Sequence, residues 1–322
     1  MKFVMTRTLT PEHILLTGAH GTIGKYILRQ LLENGFQEAV EFNSEDDFPL
    51  TVTTLGLDDR DCIRGDIRHA VPPVPPLTDT VIHCAGANPG APNSVLEIRG
   101  LGNLLEALNK CAGLKSFVFI SSTDVYGLFE GEGVDETAPL NPATDFGRMK
   151  AEAERILTEW CTGHSVALTI LRCPPVVATG MQGPMRRLVN DIYRGSYRHI
   201  ADNQAKVSVV HGVDVARAAI DMIGRPGVYN LTDGADPTRH ALAEALAWRM
   251  GNKRIFTIPL SKAKKLARIN DFLPFTRFDS EAVKRQTSTL TFSSDKIRNL
   301  LSWQPNVVTE YLRTHNYDDN SL

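Results

Sequence analysis

Three glycines spaced by three, Gly18, Gly21 and Gly24, close the apolar run Ile14-Leu15-Leu16 and open a helical pattern at once. Ile23, Ile27, Leu28, Leu31 and Leu32 recur at helical spacing and make one apolar face. A strand that turns straight into a helix through three glycines has few other folds open to it. Glycine there takes a tight turn, lets backbone N–H groups approach a pyrophosphate, and lets helix pack close to strand. The helix N-terminus then offers its amides and the positive end of its dipole to phosphate oxygens. An ordinary strand-helix turn is the plain alternative, and the order strand, glycines, amphipathic helix speaks against it.

The chain has 322 residues, enough for two domains or one enlarged one. Net charge is −2, so nothing pulls it as a whole toward nucleic acid or an anionic membrane. Cys62, Cys84, Cys111, Cys161 and Cys173 are scattered with no Cys-x-x-Cys pair. That pattern argues against a zinc site or a disulfide framework and fits a reducing cytosol. Met1–Pro11 lacks the apolar core of a signal peptide, and no apolar run is long enough to span a bilayer. A cytoplasmic protein is expected.

Short apolar strands alternate with helical faces along the first half. Strands are expected at His13–Thr17, Ala39–Phe42, Thr80–His83, Phe117–Ile120 and Val166–Leu171. Helical faces are made by Ile98, Leu101, Leu104, Leu105 and Leu108, and by Phe146, Met149, Ala153, Ile156, Leu157 and Trp160. Near-continuous apolar strands alternating with helices give an α/β fold, a Rossmann-type doubly wound parallel sheet covered on both faces. A ligand is expected beyond the carboxyl ends of the strands. Residues 1–172 are read as a dinucleotide-binding domain to which 210–232 returns. Residues 173–209 and 233–322 are read as a smaller α/β substrate domain, with Val228–Leu231 as one more strand of the large sheet. The basic run Lys262, Lys264, Lys265, Arg268 is read as a solvated helix face.

Several motifs together resemble the extended short-chain dehydrogenase/reductases, the NAD-dependent epimerases and dehydratases. Thr17-Gly18-x-x-Gly21-x-x-Gly24 is similar to that family's cofactor loop, and Gly65-Asp66-Ile67 to its acidic third-strand motif. His83-Cys84-Ala85-Gly86 resembles its small-residue strand end, and Ser121-Ser122-Thr123-Asp124-Val125-Tyr126-Gly127 its serine motif. Val209–Ala216 and Ser294–Pro305 resemble later family segments. The resemblance implies hydride transfer between a nicotinamide and a substrate carbinol carbon. It implies a cofactor site of Gly18, His20, Gly21, Thr22, Ile23, Gly24, Asp66, Ile67, Cys84, Ala85, Gly86, Ser121, Lys150 and Cys173. It also allows a homodimer, with no nucleic acid or membrane partner.

The family's proton carrier is the tyrosine of a Tyr-x-x-x-Lys pair, a spacing that puts both side chains on one helix face. Here the pair reads Phe146-Gly147-Arg148-Met149-Lys150. Lys150 is in place, and Phe146 has no hydroxyl to exchange a proton. The remaining catalytic candidates are Ser122 for the reacting oxygen, Lys150 for the nicotinamide ribose, and Asp124 as a substitute acid/base. Ser122 as a backbone cap and Asp124 as a solvated carboxylate are the plain readings beside these. Tyr126 is weighed as a packing residue or a base, Asp145 points about 100° away around the helix, and His83 and His20 read as structural. Glu97 stands where the family has asparagine, and Arg172–Thr179 departs from its Arg-Pro segment. Arg187 and Arg194 are placed by analogy to meet a substrate anion.

Cofactor choice is read from the second strand, where an acid binds the ribose hydroxyls in NAD-binding members. That stretch is taken as Val40-Glu41-Phe42-Asn43-Ser44-Glu45, with no arginine beside it. NAD is expected, with NADP left open. The substrate expected is a nucleotide sugar or similar hydroxyl-bearing small molecule. A dinucleotide-binding protein without turnover, serving as a sensor or regulator, is the rival reading.

Overall fold

Apolar strands with no polar face must be covered on both sides, and the first half of the chain satisfies that demand with alternating helices. The structure, a computed structural model, describes residues 10–39, 50–58, 60–86, 94–271 and 278–314. β1 (His13–Thr17) leads through the glycine loop into α1 (Gly24–Glu33), followed by a short β2 (Gln37–Glu38). β3 (Thr51–Gly56), β4 (Ile63–Arg64) and β5 (Thr80–His83) come next. Then follow α2 (Ser94–Leu108), β6 (Ser116–Ser122), α3 (Asp145–His164) and β7 (Ala167–Cys173). α4 (Gly212–Asp221) and β8 (Gly227–Asn230) complete the set.

These strands form one 8-stranded sheet in the order β8-β7-β6-β5-β1-β3-β2, with β4 also on β3. Every pairing is parallel. The chain moves from β1 outward on one side through β3, then crosses to β5 on the other. The crevice between β1 and β5 is therefore the topological switch point, where such sheets hold ligands. The doubly wound parallel sheet expected from the sequence is present. One core joins Leu15, Val81, Phe117 and Ile170 of the strands to Leu101, Leu104 and Leu108 of α2 and Leu157 of α3. α1 packs against α4.

The second strand differs from expectation. The neighbour of β1 is Thr51–Gly56, not Ala39–Phe42, and residues 40–42 lie outside the described residues. Thr53 and Thr54 of β3 are buried. Burial of Thr54 is made tolerable by hydrogen bonds: its Oγ1 accepts from Cys62 N at 2.8 Å and donates to Glu38 Oε1 at 3.3 Å. An apolar-run criterion passes over such a strand.

The described parts of Met1–Gly127, Pro139–Cys173 and Gly212–Leu231 make one compact unit. The described parts of Leu128–Ala138, Pro174–His211 and Thr232–Leu322 make a second. The second unit carries three two-stranded parallel ladders: Val176–Val177 with Val210–His211, Arg198–Ile200 with Phe256–Ile258, and Gly131–Val134 with Leu290–Phe292. Its own core includes Met185, Val189, Leu242, Leu246 and Leu312. Helix Leu260–Asn270 buries only Ala263 and Ala267 and exposes its lysines, a solvated face as expected.

A buried ion pair fixes α3 to the strand ends of the first unit. Arg172 of β7 donates from Nη2 to Glu154 Oε2 at 2.6 Å and from Nε to Oε1 at 3.1 Å. Ser121 of β6 donates to Glu154 Oε1 at 2.5 Å. Arg172 Nη1 reaches the Tyr126 hydroxyl at 3.0 Å, and that hydroxyl donates to Asn230 Oδ1 at 2.8 Å. Removing one member strands a buried charge, a loss of about 3–5 kcal/mol. Glu154→Leu should therefore lower the unfolding free energy by that order in urea titration. The double variant Glu154→Leu/Arg172→Met should recover most of it, and a loss below about 1 kcal/mol in the single variant would show that the pair does not hold the fold.

Candidate functional site

The glycine loop is shaped by backbone crowding. Gly18 has φ +70°, and a Cβ there would lie 2.8 Å from Ala85 N. A Cβ on Gly24 would lie 2.0 Å from Gly18 O, and one on Gly21 3.1 Å from the same oxygen. The loop is thus folded on itself at the start of α1, with Gly21 N donating to Gly18 O at 3.0 Å. Ile23, the residue before α1, supplies no side-chain cap. A backbone cradle packed this closely, at a helix N-terminus and a switch point, fits a dinucleotide pyrophosphate. Gly18, Gly21, Thr22, Ile23 and Gly24 belong to this loop.

Two strand ends meet this loop. From β5, Cys84 N donates to Thr17 O at 3.1 Å and Ala85 N to Thr17 Oγ1 at 3.2 Å, so the Cys84-Ala85-Gly86 segment borders the cradle. From β3, Leu55 O accepts from Gly18 N at 2.9 Å. Thr17 Oγ1 also lies 2.7 Å from His83 Nδ1. The hydroxyl thus serves both Ala85 N and the His83 ring, with the donor toward Nδ1 set by the imidazole tautomer. His83 stacks on Phe119, with ring centroids 5.8 Å apart. It is a buried prop beneath the loop, as its structural reading has it.

The stretch 40–45 read for cofactor choice lies outside the described residues, and it does not follow the strand beside β1. The strand that ends at the loop is β3, whose continuation carries Asp58, Arg60 and Asp61. Asp61 is buried, with its Oδ1 3.6 Å from His20 Nε2 of the glycine loop. Desolvation pushes its carboxyl up, while the Asp58 amide and His20 pull the other way. No sequence signal singled out Asp61. Asp66 is gripped by Arg68 through Nε at 2.8 Å and Nη2 at 2.7 Å, which holds its carboxyl down at about 2. Ile67 O accepts from Asn103 of α2 at 2.6 Å.

On the other side of the switch point, β6 ends in Ser121 and Ser122. Ser121 turns inward to Glu154, and Ser122 Oγ accepts from Asp124 N at 3.1 Å. The cap is the plain reading of Ser122, and it leaves the hydroxyl proton to donate elsewhere. Asp124 is exposed, and partial desolvation by the protein around it shifts its carboxyl upward. The first turn of α3 lies directly over it: a Cβ on Gly147 would be 2.5 Å from Asp124 O. Phe146 precedes Gly147 in that turn. Asp145 is exposed and paired with Arg148. Tyr126 is spent in the buried network.

Lys150 is buried and donates from Nζ to Ile120 O at 2.8 Å. Its ammonium lies 4.7 Å from the Phe119 ring centroid and 5.9 Å from that of Phe146. Desolvation lowers its pKa, while Cys84, Cys173, Glu154 and Glu97 push back. Burial drives the thiols of Cys84 and Cys173 up to about 12, so both are neutral beside it. Glu97 pairs with Arg68 at 3.6 Å. Among the described residues no His/Cys/Asp/Glu cluster fits a metal, and no helix is long and apolar enough to cross a membrane. Arg187 and Arg194 are exposed on and after helix Gly183–Tyr193 of the second unit.

Burial, with Lys150 nearby, lowers His83 from 6.5 to about 3. Below pH 6.5 the unfolded chain takes a proton that the native state refuses, so stability present at neutral pH is lost as pH falls. The slope from this one group is about 1.4 kcal/mol per pH unit. Urea unfolding between pH 7.5 and 4.5 checks it. The stability margin of the native chain over His83→Gln should shrink as pH drops, and a constant margin would contradict the buried neutral ring.

Residues 14–232 match the model of the NAD dependent epimerase/dehydratase family. The UDP-glucose 4-epimerase of Vibrio cholerae is 26% identical over 327 residues, covering 92% of this chain and 91% of the relative. The dTDP-glucose 4,6-dehydratase of Streptomyces griseus is 27% identical over 258 residues, covering 69% of this chain and 74% of the relative. Among solved structures, Thermus thermophilus UDP-glucose 4-epimerase in complex with NAD has a TM-score of 0.65 at 20% identity, covering 94% of this chain and 100% of that chain. With the glycine cradle, the parallel sheet and the strand-end serines already in view, the match over most of the chain settles its kinship: it belongs to the NAD-dependent epimerase/dehydratase family, a family of enzymes that work with a nicotinamide cofactor.

Proposed function

We propose that this chain is an epimerase, dehydratase or reductase of a nucleotide sugar or similar hydroxyl-bearing substrate, with an altered acid/base site in which Asp124 replaces the missing phenol. The second unit, with Arg187 and Arg194, is the proposed seat of the substrate. The observation that carries the reading is the corner where Ser122 caps Asp124 and α3 begins at Gly147 against the Asp124 backbone, with Lys150 buried one helical turn after Phe146.

The bound nicotinamide would accept a hydride from a substrate carbinol carbon and is able to return it. Ser122 binds the reacting oxygen with the hydroxyl proton that its cap to Asp124 N leaves free. Asp124 receives the proton released from that oxygen, directly or through one water, and gives it back in the reverse sense. Desolvation suits it to this task, because a carboxyl raised above its usual range holds a proton at higher pH than a solvated one. Lys150 supplies a buried positive charge and an ammonium donor for the nicotinamide ribose. Glycines 18, 21 and 24, with Cys84-Ala85-Gly86, hold the pyrophosphate side.

Phe146 favours one other reading, a protein that binds dinucleotide and does not turn over. Product analysis by mass spectrometry and NMR separates the two, using NAD and NADP with a panel of nucleotide sugars and related alcohols. Native chain, Asp124→Asn and Phe146→Tyr are compared. Turnover by the native chain, reduced about 10²–10⁴-fold in Asp124→Asn, is expected. Turnover confined to Phe146→Tyr would establish the second reading. The cradle has its own test in NAD-induced thermal stabilisation. Gly24→Ala drives a Cβ to 2.0 Å from Gly18 O, so the NAD-induced rise should vanish, and a preserved rise would remove the loop from the site.

A further inference from the structure

The helix Leu260–Asn270 of the second unit keeps its small apolar side chains inside and its large ones outside. It shares a small core with strands Arg198–Ile200 and Phe256–Ile258 and helix Ser280–Thr287, built from Ile200, Ile258, Ala263, Ala267 and Val283. The helix gives that core only its two alanines. Its larger aliphatic side chains face water: Leu260 is 37% exposed, Leu266 47% and Ile269 63%. A helix that served only the fold would turn leucine inward and leave alanine and lysine outside. Lys262, Leu266 and Ile269 fall four and three residues apart, so they make one outward stripe, with Lys265 beside it.

The charge around this stripe is of one sign. Residues 251–270 hold six cations, Lys253, Arg254, Lys262, Lys264, Lys265 and Arg268, and no acid. The chain as a whole has a net charge of −2, so its other residues carry −8. The acids that follow the helix are spent within the protein. Asp271 accepts from Ser280 N at 2.8 Å and from Ser280 Oγ at 2.6 Å. Asp279 caps its own helix through Ala282 N at 2.7 Å, and Glu281 pairs with Arg285 at 3.3 Å. Just before the helix, Phe256 is 41% exposed, and the guanidinium carbons of Arg198 and Arg254 each lie 5.0 Å from its ring centroid.

We infer that this face docks on an anionic lipid surface, with Leu266 and Ile269 entering the headgroup boundary and Lys262, Lys265 and the neighbouring cations meeting lipid phosphates. Nucleic acid would use the cations and gain nothing from exposed leucine and isoleucine. A folded protein partner needs about 800 Å² on each side around a packed apolar centre, and aliphatic side chains set between lysines supply no such centre. A lipid surface moulds itself around both, because lysine stems lie along the apolar boundary while their ammonium groups stay in water. Among the described residues no helix is long and apolar enough to cross a membrane, so this one lies on the surface. The expectation of no membrane partner follows from net charge, which averages this face away.

Co-sedimentation of the full chain with vesicles tests it, using phosphatidylcholine alone and an equal mixture of phosphatidylcholine and phosphatidylglycerol. Each cation near an anionic surface gains about fivefold in binding, so the mixed vesicles should be preferred by at least about tenfold. Lys262→Glu/Lys265→Glu should remove most of that preference. Leu266→Ser/Ile269→Ser, which leaves the charge intact, should weaken binding to the mixed vesicles several-fold. Lys110→Glu/Lys115→Glu, at exposed lysines of the first unit, makes the same change in net charge and should leave binding as it is. The substituted side chains are all exposed, and circular dichroism reports the fold of each variant. No preference for the mixed vesicles overturns the proposal, and so does an equal loss in the Lys110/Lys115 variant. Undiminished binding in Leu266→Ser/Ile269→Ser also overturns it, because charge alone would then suffice. Binding of a DNA duplex by a chain that ignores both vesicles would assign the cations to nucleic acid instead.

Discussion

The Glu154–Arg172 ion pair is the interaction on which the working corner of the large unit depends. It joins α3 to β7 directly, β6 through Ser121, and β8 through Tyr126 and Asn230. Each attachment has a consequence for the site. Side chains alternate along a strand, so turning Ser121 inward to Glu154 turns Ser122 to the opposite face, where its hydroxyl caps Asp124. Lys150 sits one helical turn before Glu154 on α3, so anchoring Glu154 fixes the height at which the ammonium meets Ile120 O. A buried ion pair adds little net stability over an apolar substitute. Its value here is registry: four elements share one buried hydrogen-bond network and are not free to slide.

Two close backbone contacts complete that registry, and both are made by glycine. Gly24 lets α1 begin against Gly18 O, and Gly147 lets α3 begin against Asp124 O. A methyl group at either place would lift a helix away from the strand end it serves. One contact shapes the glycine loop and the other sets the first turn of α3 over the Asp124 backbone. The same device, a helix start pressed onto a strand-end turn, thus frames both sides of the switch point.

The sequence made legible whatever was apolar and local. β1, β5, β6, α2 and α3 follow from unbroken Val, Ile, Leu and Phe at the period of strand or helix. The glycine loop, Lys150 and the missing hydroxyl of Phe146 follow from motif spacing. β3 was not legible because Thr51, Thr53 and Thr54 carry polar groups whose partners, Cys62 N and Glu38 for Thr54, are visible only in three dimensions. Without β3 the pattern points to residues 40–45 for the ribose acid, and these lie outside the described residues. Glu154 was hidden for a similar reason: nothing in the chain announces that a glutamate on α3 faces inward until Arg172 of β7 is placed opposite it. Ser121 resembles a cofactor ligand in its motif, and its hydroxyl donates to Glu154 of that buried pair.

The proposed acid/base corner has an internal electrostatic logic. A tyrosine must be moved down from a pKa near 10 to exchange a proton at neutral pH, so it needs a cation close by. A carboxyl must be moved up, so it needs burial and distance from cations. Asp124 is raised by desolvation alone, and Lys150 is not among the causes of its shift. Lys150, in turn, spends its donor on Ile120 O and its charge among Phe119, Phe146 and two neutral thiols. An apolar ring at position 146 supplies no dipole to link the two groups. Position 146 thus carries an apolar ring 5.9 Å from the Lys150 ammonium and no second titratable hydroxyl, which fits the proposal of a carboxyl as the proton carrier.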